Sequence, residues 1–188
     1  MLDLLGADAW VHVRQRHAQC YNLLMAAARP FSDLYLREYS GEHLLYEYWM
    51  LIRCAELLAN QHKHIQCAVE DTETITNVLV ESFAIHLRNL ITFFYGDSKR
   101  YRPTDVLAID YFDDGRWNNL RPPKSELITR AEDQASKQIA HLTTKRYAGV
   151  HEEKKWHFLS LSKEVRNVTR IFIGGASASR LAPSFRNT

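Results

Sequence analysis

In the segment 126–147, Arg130, Gln134, Lys137, His141 and Lys145 fall three or four residues apart, so on a helix they share one stripe. His141 lies between Lys137 and Lys145, and neighbouring cations favour its neutral form. A neutral imidazole beside ammonium groups suits proton transfer at a phosphodiester. The ring takes a 2′-hydroxyl proton while the cations stabilise charge on the phosphate. Solvated charge stripes are also common on amphipathic helices, so the pattern gains weight only if a second polar set faces it. Arg88 and Asn89 form such a set, on the polar edge of the most apolar run in the chain, 71–95.

Other chemistries find less support. His62 and His64 are two residues apart and point to different sides of a helix; His64 and Cys67 are better spaced but lack a second pair to complete a tetrahedral site. The helical di-iron pattern Glu-x-x-His does not occur, and His151 and His157 share no coherent face. There is no Gly-x-Ser-x-Gly, no Walker loop and no Gly-x-Gly-x-x-Gly. No metal and no cofactor are expected. His86 reads as a core histidine. Tyr46, Tyr48 and Trp49 read as core or dimer contacts.

Helices must position these groups. A first helix is expected over 8–29, from Asp8 as N-cap to a stop at Pro30. A second covers 32–39, with Ser40–Gly41 as an interruption, and a longer one runs over 42–69. The helix 71–95 follows, with Val78, Leu79, Phe83, Leu87, Leu90, Ile91 and Phe94 on a wide core face and Gly96 as its terminator. Residues 97–124 form a long irregular connection, which Tyr111, Phe112 and Trp117 can pack down. Ser125 caps the helix 126–147. A last helix over 152–173 ends at Gly174–Gly175. The result is an all-α bundle of about five to six helices around 71–95. It is a single domain over 1–175 with a flexible tail over 176–188.

Of the 188 residues, 46% are apolar and 24% charged, a globular balance. No run reaches the roughly 18–20 apolar residues that span a bilayer, and the first ten residues lack the pattern of a signal peptide. Three cysteines without a CxxC pair fit a reducing compartment. A cytoplasmic protein with no membrane association is expected. The net charge of +2 is uneven: residues 1–94 hold 7 Lys/Arg against 11 Asp/Glu, and residues 95–188 hold 17 against 11. The C-terminal half should therefore carry a basic face, open to a polyanion such as RNA.

The combination of HLRNLITFFY, a long irregular connection and ASKQIAHLTTKR, over about residues 71–147, resembles bacterial all-α proteins of the HEPN superfamily. Many members are metal-independent ribonucleases of toxin–antitoxin and other defence systems, often dimeric. Their signature is an Arg, often followed by a polar residue, with a His four to six positions further on. Here Arg88–Asn89 supplies the first half, but Phe93, Phe94 and Tyr95 stand where the His belongs. His141 has Lys137 as its upstream cation, three residues between, and Lys lacks the bidentate fork of Arg. Literal spacings at Arg37–His43 and Arg146–His151 are broken by glycines. The resemblance implies a homodimer that acts on or binds RNA, with an antitoxin or other protein as partner. His141 would be general base or acid, Arg88 and Lys137 would hold phosphate, and Asn89 would orient the His or the substrate. The departure from the signature leaves a second expectation, a non-catalytic helical dimerisation or protein-interaction module.

Overall fold

The computed structural model describes residues 31–60, 72–97, 102–136 and 155–188. Among these the structure is all-helical, a bundle with no strand. The helices are α1 (Asp33–Tyr39), α2 (Leu45–Ala59), α3 (Thr72–Tyr95), α4 (Trp117–Leu120), α5 (Glu126–Gln134), α6 (Phe158–Gly175) and α7 (Pro183–Arg186). The expected first helix, the ends of the third and fifth expected helices (42–69 and 126–147), and the start of the last one lie outside the described residues.

α3 packs most extensively against α2, and α2 in turn against α6. Phe83, Leu87, Leu90, Ile91 and Phe94 of α3 are buried, as the core face requires. Two edges of that face differ from expectation. Val78 is exposed while Leu79 and Val80 of the same turn pack against the core, and Phe93 is buried, because the irregular connection covers its side.

The expected break at Ser40–Gly41 does not occur. Helix continues through a wider π turn, Ser40–Leu44, that joins α1 to α2. Fully buried Ser40 explains how. Its hydroxyl donates to the Arg37 carbonyl (2.9 Å) and accepts from the Ala182 N–H (2.9 Å), tying the turn to the C-terminal segment. Gly41 faces the same segment so closely that a Cβ there would sit 2.9 Å from that of Ala182. The glycine serves close approach, not helix termination.

Residues 102–124 are ordered by their own aromatics. Tyr111, Phe112 and Trp117 are buried. The Trp117 indole donates to the Phe94 carbonyl at the end of α3 (2.7 Å), and the Tyr111 phenol donates to the Leu36 carbonyl of α1 (3.0 Å). Burial pushes the Tyr111 phenol far above its ordinary pKa, so it remains a donor. Ser125 caps α5 by accepting from the Ile128 N–H (3.1 Å), as its sequence position predicts.

Residues 176–188 are held more firmly than their composition suggests. Leu181 and Phe185 are buried, and Arg180 pairs with Asp33 of α1 (2.7 Å) and with Asp113 (2.8 Å). The Ser179 hydroxyl and Arg180 hold the Asp33 carboxyl below its usual range. That clamp is present above the ordinary carboxylate pKa and is lost as pH falls through the depressed one.

At the centre, fully buried Phe172 of α6 meets Phe93 (5.3 Å) and Phe94 (5.7 Å) of α3, Tyr111 (5.2 Å) and Phe112 (5.8 Å) of the connection, Trp117 (5.7 Å) of α4 and Phe185 (6.3 Å) of α7. Edge-on ring pairs of this kind add to the area they bury. Phe172→Ala is expected to cost about 3–5 kcal/mol in urea unfolding. Gly41→Ala should cost about 1–3 kcal/mol, because it overpacks the turn against Ala182.

Candidate functional site

The polar edge of α3 is where sequence and structure meet. Arg88 and Asn89 are both exposed. Arg88 has no side-chain partner among the described residues. Asn89 does: its amide donates to Glu47 Oε2 of α2 (3.1 Å). Buried His86, one turn earlier, bonds the same oxygen through Nδ1 (2.7 Å). A carboxylate only accepts, so Nδ1 is the protonated nitrogen there. Tyr46 packs edge-on against the His86 ring (5.5 Å), fixing its other side. Helical spacing explains the convergence: positions 86 and 89 are three apart on α3, and the contact between the helices brings Glu47 between them.

His141 and Lys137 lie outside the described residues, as do Cys20, His62, His64, Cys67 and His151. The structure therefore places Arg88 and Asn89 side by side and adds Glu47 and His86 to them. Glu47 was not singled out in the sequence, since its partners lie 39 and 42 residues away and no local spacing marks it. Among the described residues no group of three or more His, Cys, Asp or Glu is arranged to hold a metal ion. No helix among them is long and apolar enough to cross a membrane.

A cleft of about 340 Å³ opens beside this cluster. Leu44, Leu90, Phe93, Val106 and Leu107 supply its apolar lining, and Tyr39, Glu47, Asn89, Thr92, Thr104 and Asp105 its polar groups. Burial pushes the Tyr39 phenol up, and the charges of Glu47 and Asp105 add to the shift.

A different surface forms where α2 meets α6. Arg166 pairs with Glu56 across the seam (3.2 Å), and Glu56 also receives Arg53 (3.1 Å). Trp49, Arg53 and Glu56 share one stripe of α2, and Lys163, Arg166 and Arg170 share one stripe of α6. Among the described residues these two stripes carry the cations Arg53, Lys163, Arg166 and Arg170 and the carboxylate Glu56. Trp49 is 44% exposed, with the Arg53 guanidinium over its ring at 6.0 Å. The basic face expected from the charge asymmetry is represented here by α6, joined by Arg53 from the acidic half.

Truncating Glu47 tests the first cluster. Glu47→Ala leaves the His86 and Asn89 donors unpaired and should lower stability by about 1–3 kcal/mol. Arg88→Ala should change stability by less than about 0.5 kcal/mol, as an exposed side chain without a partner does. Chemical denaturation of both variants measures the contrast.

No family model, curated protein or solved structure matches the chain.

Proposed function

We propose that this chain binds RNA, and that it acts on that RNA in the manner of the HEPN-like ribonucleases it resembles. The observation that supports binding is the α2–α6 seam: among the described residues four cations lie on two helix stripes joined by the Arg166–Glu56 pair, with exposed Trp49 beside Arg53 on the α2 stripe. Cations neutralise backbone phosphates and an exposed ring stacks on an unpaired base, the combination that single-stranded nucleic acid recognition uses. Arg is the better half of such a set because its planar fork matches phosphate oxygens.

Cleavage is the sharper form of the proposal and rests on the resemblance. His141 acts as general base or acid, Arg88 and Lys137 hold the phosphate, and Asn89 orients the His or the substrate. Exposure of Arg88 without a protein partner among the described residues favours its part in this set. Asn89 gives one amide hydrogen to Glu47, which leaves its second amide hydrogen and its carbonyl oxygen to orient the His or the substrate. In a defence or toxin–antitoxin setting, a cognate protein would hold this activity in check.

A second reading, a non-catalytic homodimeric or protein-interaction module, is favoured by one observation. Tyr46 of α2 and Val78 and Ile85 of α3 are large apolar side chains more than half exposed. Sedimentation of the purified protein separates monomer from dimer, and Ile85→Glu should dissociate a dimer built on that face.

RNA binding is tested by fluorescence anisotropy with a single-stranded oligonucleotide at several salt concentrations. Combined Arg53→Ala, Lys163→Ala and Arg170→Ala substitutions should weaken binding at least about tenfold and lower the salt slope by about 2, at roughly 0.7 per phosphate contact. Cleavage is tested by expressing wild type and His141→Ala in cells with RNA integrity as readout. Intact RNA in both, with the purified protein leaving tRNA and mRNA uncut, would remove the catalytic form of the proposal.

A further inference from the structure

We propose that a second copy of this chain docks on the outer stripe of α3, in an antiparallel two-fold pairing that joins Glu81 of each copy to Arg88 of the other. The inference rests on the second reading above, the homodimeric module, and supplies its surface and its contacts. Val78, Glu81, Ile85 and Arg88 are all exposed. Their spacing of three and four residues holds them on one face of the helix. Phe83, Ala84, His86 and Leu87, on the other faces of the same turns, are buried.

The stripe has an apolar centre. Val78 is 58% exposed and Ile85 53%, two large side chains about two helical turns apart on the same face. Tyr46 of α2, 57% exposed, borders them, since its ring packs on His86 next to Ile85 in the chain. The charges at either end then select the occupant. Glu81 stands four residues before Ile85 and Arg88 three after it. Neither charge has a side-chain partner among the described residues, and the two do not pair with each other within the chain.

A closed two-fold interface needs a surface of this kind, on which each copy offers what the other lacks. With two α3 helices antiparallel and the axis beside Ile85, residue 81 of each copy lies level with residue 88 of the other. The two Ile85 side chains then differ in level by only about 1.5 Å, one residue of helical rise. Each charge meets its opposite, once on either side of an apolar centre, which is the ordinary anatomy of an interface. A parallel pairing in register would instead set Glu81 against Glu81 and Arg88 against Arg88, and like charges repel. In this arrangement Arg88 serves a carboxylate and not a phosphate, so experiment separates its two uses.

Sedimentation of the full chain over a range of concentrations measures the dissociation constant of the dimer. Glu81→Arg and Arg88→Glu should each raise it at least about tenfold, since each replaces two attractions by two repulsions. Both positions are exposed, so either variant keeps its fold, which circular dichroism checks. An equimolar mixture of the two variants should recover a dissociation constant near that of wild type, because in the mixed dimer residues 81 and 88 again meet opposite charges at both places. A wild-type dimer that neither reversal weakens overturns the α3 pairing and leaves the dimer reading standing. A wild type that stays monomeric at every concentration removes the dimer reading and the inference with it. Variants that lose the dimer and do not recover it on mixing overturn the Glu81–Arg88 contact. So does an Arg88→Glu variant that weakens RNA binding while its dimer keeps wild-type strength.

Discussion

The buried ring of Phe172 is the contact on which most of the architecture depends. Four pieces of chain with little regular pairing of their own meet there: the end of α3, the irregular connection with its Tyr111 and Phe112, α4 through Trp117, and α7 through Phe185. None of the last three is long enough to be stable as an isolated helix. The connection places two rings on Phe172, and α4 and α7 one each. Gly175 completes the arrangement: a Cβ there would lie 2.8 Å from Leu120 and 2.9 Å from Phe112, so only glycine lets α6 end against this cluster. A ring cluster of this kind specifies geometry more tightly than aliphatic packing of equal area, because ring planes must be set at defined angles.

The polar edge of α3 depends on that core indirectly. With α3 fixed at its C-terminal end by Phe93 and Phe94, the rotation of the helix is set, and His86 and Asn89 must face α2. Glu47 then bridges both. A carboxylate between two donors from another helix resists rotation of either helix about its axis, which a purely apolar contact does not. This registration ties Asn89 to α2 through one amide hydrogen, while Arg88 next to it stays exposed.

Much of the fold was legible in the sequence for local reasons. The apolar circumference of 71–95 announced a helix buried on several sides, Ser125 announced a cap, and Tyr111, Phe112 and Trp117 announced how the connection would be packed. What escaped notice was non-local. Ser40–Gly41 looks like a break when read with its neighbours, yet it is a docking point for Ala182, 142 residues away from Ser40. The small, polar composition of 176–188 conceals the burial of Leu181 and of Phe185, the latter against Tyr48 of α2 and Phe172 of α6. Of the candidate site, Arg88 and Asn89 could be picked out because polar residues interrupt an apolar run. Glu47 could not, since a glutamate on an amphipathic helix carries no mark of what it will face.

The charge asymmetry between the two halves of the chain takes a more definite form in three dimensions. The carboxylates Glu47 and Asp105 lie at a cleft of mixed polar and apolar lining, where neighbouring groups already bond them. The cations of α6, with Arg53, lie on an open seam where water and salt screen each charge. A single carboxylate, Glu56, holds Arg53 and Arg166 at the seam without neutralising it. Electrostatics of the two surfaces therefore differ in kind as well as in sign. A cleft discriminates by geometry and by the match of donors to acceptors, whereas a seam of exposed cations attracts polyanions with little selectivity. The small net charge of the whole chain conceals this division, because charges of opposite sign cancel in the sum.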